Sequence, residues 1–88
     1  IVATAISTNS YIISGSSASD QFGGGAALIG TTSDEAGFFI PTSDSALNLN
    51  GGTTGGKGGD VIDVVAVSGQ WQVTAVLHCD GTLATPWS

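Results

Sequence analysis

Two apolar runs near the end of the chain constrain the fold more than any other feature. Residues 61–67, VIDVVAV, and residues 71–78, WQVTAVLH, are separated only by Ser-Gly-Gln. In the second run, apolar residues occupy every other position from Trp71 to Leu77, which is the period of a strand with one buried face. Ser68 and Gly69 suit a tight turn, because glycine adopts positive φ without steric cost. The pattern therefore predicts a β-hairpin over residues 61–78.

The first of these runs predicts the more interior strand of the pair. Its side chains are apolar on both faces, with Asp63 as the exception. Strands buried on both faces show such continuous apolar runs. We therefore expect residues 61–67 to lie inside a sheet and residues 71–78 to have one face buried.

The rest of the chain predicts more strands and no helix. No stretch repeats apolar residues at helical spacing, whereas fourteen glycines and many Ser, Thr, Val and Ile residues favour strands and turns. Residues 1–88 are expected to form a single all-β domain, a small antiparallel β-sandwich or jelly-roll-like barrel. The chain begins within a strand pattern at Ile1, so it is expected to be the C-terminal part of a longer protein. The predicted strands are residues 1–7, 11–14, 26–32, 37–41, 46–50, 61–67 and 71–78.

The charge balance excludes two classes of partner. The chain has one Lys or Arg, seven acidic residues and a net charge of −6. Nucleic acid requires a basic surface, and an anionic membrane would repel this chain, so neither is an expected partner. Charged residues make up only 9% of the chain and hydrophobic residues 41%. A surface with so few charges favours burial against copies of the chain or a larger assembly.

The glycine-rich stretch GGKGGDVIDVV, residues 55–65, admits two interpretations. It fits the nine-residue calcium-repeat pattern, with Asp60 at the acidic position and Ile62 at the apolar one. A single repeat supplies only part of a calcium shell, however, and this chain has one copy. The alternative is a glycine turn that leads into a strand, and we predict no metal or other cofactor.

No group of residues predicts catalysis. His78 and Cys79 are adjacent, but neighbouring side chains of a strand point to opposite faces. His78 is the only histidine, and Cys79 the only cysteine, so neither a zinc site nor an internal disulfide is expected. Serines next to Asp20 and Asp44 are typical of turns, where side chains bond to local backbone. We expect a protein that is not an enzyme.

The aromatic residues divide between core and contact positions. Phe38 and Phe39 would point to opposite faces of a strand, and Trp71 is expected in the core. Phe39 and Trp87 are predicted either in the core or at an interface.

Residues 47–88 resemble the carboxy-terminal part of small structural proteins of tailed bacteriophages. The likeness lies in a strand ending in NG, a T-T-x-G-G loop, a Gly-Asp that opens an apolar strand, W-x-V on the next strand, and a terminal ATPW. Upstream YIIS and PTSDSALNLN extend it over residues 11–88. The family includes capsid decoration or cement proteins and parts of tail fibres. It ends in ATPF, whereas this chain has Trp87.

The resemblance implies a virion structural protein on the outer capsid, assembled as a homotrimer and bound to the major capsid protein. It also implies that Asp60 satisfies the backbone of the glycine turn. The predicted contact residues are Ile1 and Val2, by strand addition to a neighbour, together with Phe39 and Trp87. The alternatives are a tail- or head-fibre domain that binds host glycans and, second, a calcium-dependent β-roll module.

Overall fold

A computed structural model describes residues 1–6, 10–17, 19–32 and 34–88, which form six strands and no helix. Within these residues no helix has the length and apolarity to span a membrane. The prediction of an all-β fold is confirmed. The strands are β1 (Tyr11–Ser14), β2 (Phe22–Gly30), β3 (Ala36–Phe39), β4 (Ala46–Leu49), β5 (Val61–Val67) and β6 (Gln70–Cys79).

The strands form two sheets, one of which is mixed. The larger sheet has the order β3-β2-β6-β5, and the smaller one pairs β1 with β4. All neighbours are antiparallel except β2 and β6, which run parallel from the pair Phe22 and Trp71 to the pair Gly30 and Cys79. The prediction of a purely antiparallel sandwich is therefore wrong at the centre of the larger sheet. The chain leaves this sheet for β4 and returns to place β6 beside β2 in the same direction.

The C-terminal residues extend the smaller sheet. Leu47 forms an antiparallel bridge with Trp87. The backbone N–H of Asn48 donates to the carbonyl of Pro86, and that of Ser88 to the carbonyl of Ala46. The smaller sheet thus consists of residues 86–88, β4 and β1 in that order, with β4 at its centre.

The core lies between the two sheets. Phe22 and Trp87 meet edge to face, with ring centroids 6.1 Å apart. Alternate residues of β6 point inward, as the period-two pattern predicts, whereas Trp71 at its start is 40% exposed. The buried hydrophobic residues are Val2, Phe22, Ala26, Leu28, Leu47, Leu49, Val73, Ala75, Leu77, Cys79 and Trp87.

The predicted hairpin is confirmed, but the position predicted for its first strand is wrong. β5 and β6 pair antiparallel across a turn in which Ser68 and Gly69 have φ values of 49° and 77°. Two positive φ values define a type I′ turn, which matches the twist of the flanking strands. However, β5 lies at the sheet edge and most of its side chains are exposed. Apolar residues on both faces of a segment indicate a strand, but they do not indicate whether it lies at the centre or at the edge of a sheet.

The strand predicted at residues 1–7 is absent from residues 1–6, and Ser7 lies outside the described residues. The segment instead runs along the glycine-rich loop of its own chain. The N–H of Val2 donates to the carbonyl of Asp60, and the carbonyl of Val2 accepts from Gly59, both at 2.8 Å. Further along, the N–H of Ile6 donates to the carbonyl of Gly56.

Candidate functional site

A fully buried carboxylate, that of Asp60, organises the glycine-rich loop at residues 51–60. Its Oδ2 accepts the N–H of Gly56 at 2.9 Å and that of Lys57 at 3.1 Å. Its Oδ1 accepts the N–H of His78 at 3.0 Å and lies 2.8 Å from the ring Nδ1 of the same residue. All four contacts are charge-assisted when Asp60 is ionised, and such bonds are among the stronger ones in proteins.

Asp60 joins three segments that are distant in sequence. Its side chain connects the loop to β6 through His78, and its backbone carbonyl accepts from the N-terminal segment at Val2. The expectation that Asp60 satisfies the turn backbone is confirmed. The additional bond to His78 was not predicted, because strand patterns carry no information on such distant pairs.

The geometry of Asp60 favours the glycine-turn interpretation over a calcium site. Both carboxylate oxygens face N–H donors, which a cation would have to displace. In the parts of the chain that the structure describes, no group of three or more His, Cys, Asp and Glu residues is placed to hold a metal ion.

The Asp60–His78 pair resembles two members of a hydrolytic triad, but a nucleophile is missing from the described residues. A triad requires a hydroxyl or thiol bonded to the other ring nitrogen, Nε2. No such bond to His78 occurs in these residues. Cys79 is fully buried on the opposite face of β6, whereas His78 is partly exposed. Burial, together with the negative charges of Asp60 and Asp80, raises the pKa of the Cys79 thiol. A protonated, inaccessible thiol is a poor nucleophile.

A second polar cluster ties the loop to the end of the larger sheet. The Lys57 ammonium forms an ion pair with Oδ2 of Asp80, and the Thr31 hydroxyl donates to Oδ1. The Lys57 bond and then the Thr31 bond lower the pKa of Asp80. Lys57 is the only Lys or Arg residue in the sequence, and its charge is therefore paired within its own chain.

Several large apolar side chains are exposed on the face of the larger sheet that points away from the core, here called the outer face. Strand register places on it six large apolar side chains that are all exposed, from 38% for Val61 to 67% for Phe38. Among the ionisable groups, only Asp63 and His78 share this face by register. The six residues are Ile29, Phe38, Val61, Val65, Val67 and Val76.

A cleft opens where the smaller sheet ends above the larger one. It has a volume of about 280 Å³. Trp71 lines it, and the Asp20 carboxylate lies at its rim, where a hydrogen bond from the Ser16 hydroxyl lowers the pKa of Asp20. The cleft exists because the smaller sheet stops at β1 and leaves Val64 and Trp71 partly uncovered. The other lining residues are Ile13, Ser14, Gly15 and Phe22.

The four predicted contact residues occupy different environments. Ile1 is 89% exposed, whereas Val2 and Trp87 are buried within their own chain. The Trp87 indole N–H donates to the Phe39 carbonyl at 2.9 Å, and Phe39 packs partly buried against the core. The side chains of Val2 and Trp87 are thus engaged inside the chain. Their role at an interface stays a prediction, and the neighbouring Phe38 is the exposed ring.

No family model, curated protein or solved structure matches this chain.

Proposed function

We propose that this protein is a non-enzymatic structural subunit that decorates the outer capsid of a tailed bacteriophage and stabilises the shell. The observation that supports this most directly is the outer face. Six exposed apolar side chains on one sheet form a surface of the kind that marks protein contact sites. The bacteriophage setting itself comes from the sequence resemblance over residues 11–88.

The proposed assembly is a homotrimer of jelly-roll-like sandwiches. The two packed sheets support the sandwich, and the exposed apolar surface supports association, because a subunit of 88 residues buries only part of its apolar surface alone. Closed cyclic assemblies of identical subunits are common among oligomers. The major capsid protein is the proposed second partner, bound so that each trimer bridges neighbouring coat subunits.

Copy number in the particle tests the proposal. The chain is quantified against the major coat protein in purified virions by mass spectrometry. A ratio near parity, or a simple fraction of it, is expected for a protein that tiles the shell. A few copies per particle, or absence from virions, would overturn the decoration function.

A matched pair of substitutions tests the outer face. Phe38→Ser alters a side chain that is 67% exposed on this face, and Ile12→Ser alters one that is 59% exposed on the smaller sheet. Capsids lacking the chain are incubated with each purified variant, and the bound protein is measured. We expect Phe38→Ser alone to reduce binding. Equal binding by both variants would show that the outer face is not the contact.

The cleft favours a second proposal, a fibre domain that binds host glycans. Trp71 offers a partly exposed aromatic ring, and Asp20 and Ser16 offer hydrogen-bonding groups at the rim. Binding on a glycan array that Trp71→Ala abolishes would support this function. Such a result, with few copies per virion, would replace the decoration proposal.

A further inference from the structure

The edge strand β5 has a neighbour on one side only. β6 pairs with it along its whole length, from Val61 to Val67. Among the described residues, no other backbone group bonds to these seven residues. The unpaired N–H and C=O groups of such an edge can bind another strand.

The two edges of the larger sheet differ in their protection. β3 has only four residues, Pro41 follows it closely, and the Trp87 indole N–H occupies the Phe39 carbonyl. These features limit the pairing of a further strand with β3. β5 is seven residues long, contains neither Pro nor Lys, and carries Asp63 as its single charge. Of the two edges, β5 is therefore the one that can pair with a further strand.

The hairpin turn determines which backbone groups of β5 face outward. In a two-residue hairpin, the residues that flank the turn form a hydrogen-bonded pair, and bonded pairs then alternate along the ladder. The flanking pair here is Val67 and Gln70. Residues 61, 63, 65 and 67 therefore bond to β6. The N–H and C=O groups of Ile62, Val64 and Ala66 point to the free side.

We infer that β5 pairs antiparallel with β5 of a second copy of this chain, about a two-fold axis at Val64. In this register, Val64 faces Val64 of the partner copy, and Ile62 faces Ala66 of the partner copy. All three outward residues then exchange both backbone bonds, which gives about six hydrogen bonds between the chains. The strand sequence suits the pairing, because reversing VIDVVAV places small or branched apolar residues opposite one another at every position except Asp63, which faces Val65.

Charge and backbone pairing together favour this register over the two adjacent ones. Centring the axis on Asp63 would place two carboxylates directly opposite each other, which is destabilising. Centring it on Val65 would leave outward groups of Ile62 without a strand partner. With the axis at Val64, each Asp63 faces Val65 of the other copy. The larger sheets of the two copies then form one continuous eight-stranded sheet.

The strength of the contact follows from its size. Pairing two seven-residue strands buries less than the roughly 800 Å² per partner of a typical stable complex. The association is therefore expected to be reversible and concentration-dependent. It rests on the β5 edge and not on the virion function, so it holds for any source of the chain. If the chain also forms trimers, a two-fold contact joins them into even-numbered assemblies.

Sedimentation equilibrium of the wild-type chain and Val64→Pro tests the inference. Proline at 64 removes an N–H that faces away from β6, so the ladder within the chain keeps its bonds. At concentrations of about 1 to 100 µM, where mass action populates weak dimers, the wild type should reach an even multiple of the chain mass. Val64→Pro should halve that mass while retaining the wild-type circular dichroism. A wild type that stays monomeric or trimeric, or an unchanged mass in the variant, would overturn the inference.

Disulfide trapping decides the register and does not depend on the proline variant folding. Val64→Cys and Val67→Cys, each in a Cys79→Ala background, introduce thiols at positions that are 40% and 47% exposed. The two copies of residue 64 are directly opposite, whereas the two copies of residue 67 are separated by about 20 Å along the strands. Mild oxidation should yield a covalent dimer for Val64→Cys only. Equal yields from both variants, or none from Val64→Cys, would contradict the proposed pairing.

Discussion

The carboxylate of Asp60 lies 2.8 Å from the ring nitrogen of His78, a residue 18 positions further along the chain. The same carboxylate accepts three backbone N–H groups from Gly56, Lys57 and His78. A buried charge is tolerated when its lone pairs are occupied in this way. The arrangement therefore holds a loop rich in glycine, which has high conformational entropy when unfolded, against the larger sheet.

Asp60→Asn should destabilise the fold strongly. The amide would replace one acceptor oxygen with an NH₂ group that faces backbone N–H donors, so we expect a loss of about 3 kcal/mol in the free energy of unfolding. Urea denaturation measures this loss. Asp63→Asn, at an exposed position of β5, is the control and should change little. Equal effects of the two variants would show that the buried contacts of Asp60 do not stabilise the fold.

His78→Ala should cost less than Asp60→Asn. The variant loses the bond from the imidazole but keeps the backbone N–H that donates to Asp60, so a loss of about 1 kcal/mol is expected. Thermal unfolding of both variants gives the comparison. A loss as large as that of Asp60→Asn would indicate that the imidazole, not the backbone, holds the carboxylate.

The Cys79 thiol should make stability fall at alkaline pH. Its pKa is raised above the ordinary value of 9.0, mainly by burial. The unfolded chain therefore releases the thiol proton at a lower pH than the folded chain. The free energy of unfolding is unaffected by this group below the unfolded pKa and decreases as the pH rises from there through the folded pKa.

Comparison with Cys79→Ala isolates the contribution of this thiol at alkaline pH from that of every other group in the chain. The stability of the wild type relative to the variant should decline over this range. Alkylation by iodoacetamide should also be slow until the chain unfolds. Rapid labelling of the native protein would be inconsistent with the buried thiol.

The Lys57–Asp80 ion pair should stabilise the protein only at pH values where the Asp80 carboxylate is ionised. Hydrogen bonds from Lys57 and then Thr31 lower the pKa of Asp80 below its ordinary value of 3.8. This contribution is present above the unfolded pKa and is lost as the pH falls through the folded pKa. In Lys57→Met, an NMR titration should show the Asp80 pKa moved upward. An unchanged Asp80 titration would mean that the ion pair does not form in solution.

Gly24→Ala should be the most disruptive of the glycine substitutions in the strands. Gly24 has a φ of 93°, and an added Cβ would collide with the backbone oxygen of Val73. Left-handed strain together with a backbone collision should cost at least about 3 kcal/mol. Gly69→Ala is the control, since it has positive φ in the turn but open space around it, and should cost about 1 kcal/mol. Similar unfolding free energies for the two variants would contradict the collision.

Local patterns of the sequence predicted the local parts of the structure. The hairpin was predictable because alternation in residues 71–78 and the Ser68-Gly69 turn act within one short segment. The role of Asp60 in satisfying the turn backbone was implied by the family resemblance, and its partners Gly56 and Lys57 are near neighbours in the chain. The calcium interpretation at Asp60 arose from a local repeat pattern, and the dyad at Cys79 from the adjacency of His78. Neither pattern contains the spatial positions of the partners.

The remaining features depend on contacts between distant segments. The edge position of β5 could not be inferred from VIDVVAV, because a strand that is apolar on both faces can be covered by its own chain or by another. The Asp60–His78 bond requires the loop to fold over β6. The available signals were a single histidine in the alternating strand β6 and a Gly-Asp pair before β5, and these are compatible with many structures.

The parallel pairing of β2 with β6 has a consequence for the order of folding. The paired residues of the two central strands, such as Phe22 and Trp71, are more than half of the chain length apart in sequence. The β5–β6 hairpin can form early because its contacts are local, whereas β2 must wait for β6 and close a long loop. During synthesis, the N-terminal half has no central partner until the last strand emerges from the ribosome. The nascent chain must therefore remain without its core until translation of this region is nearly complete.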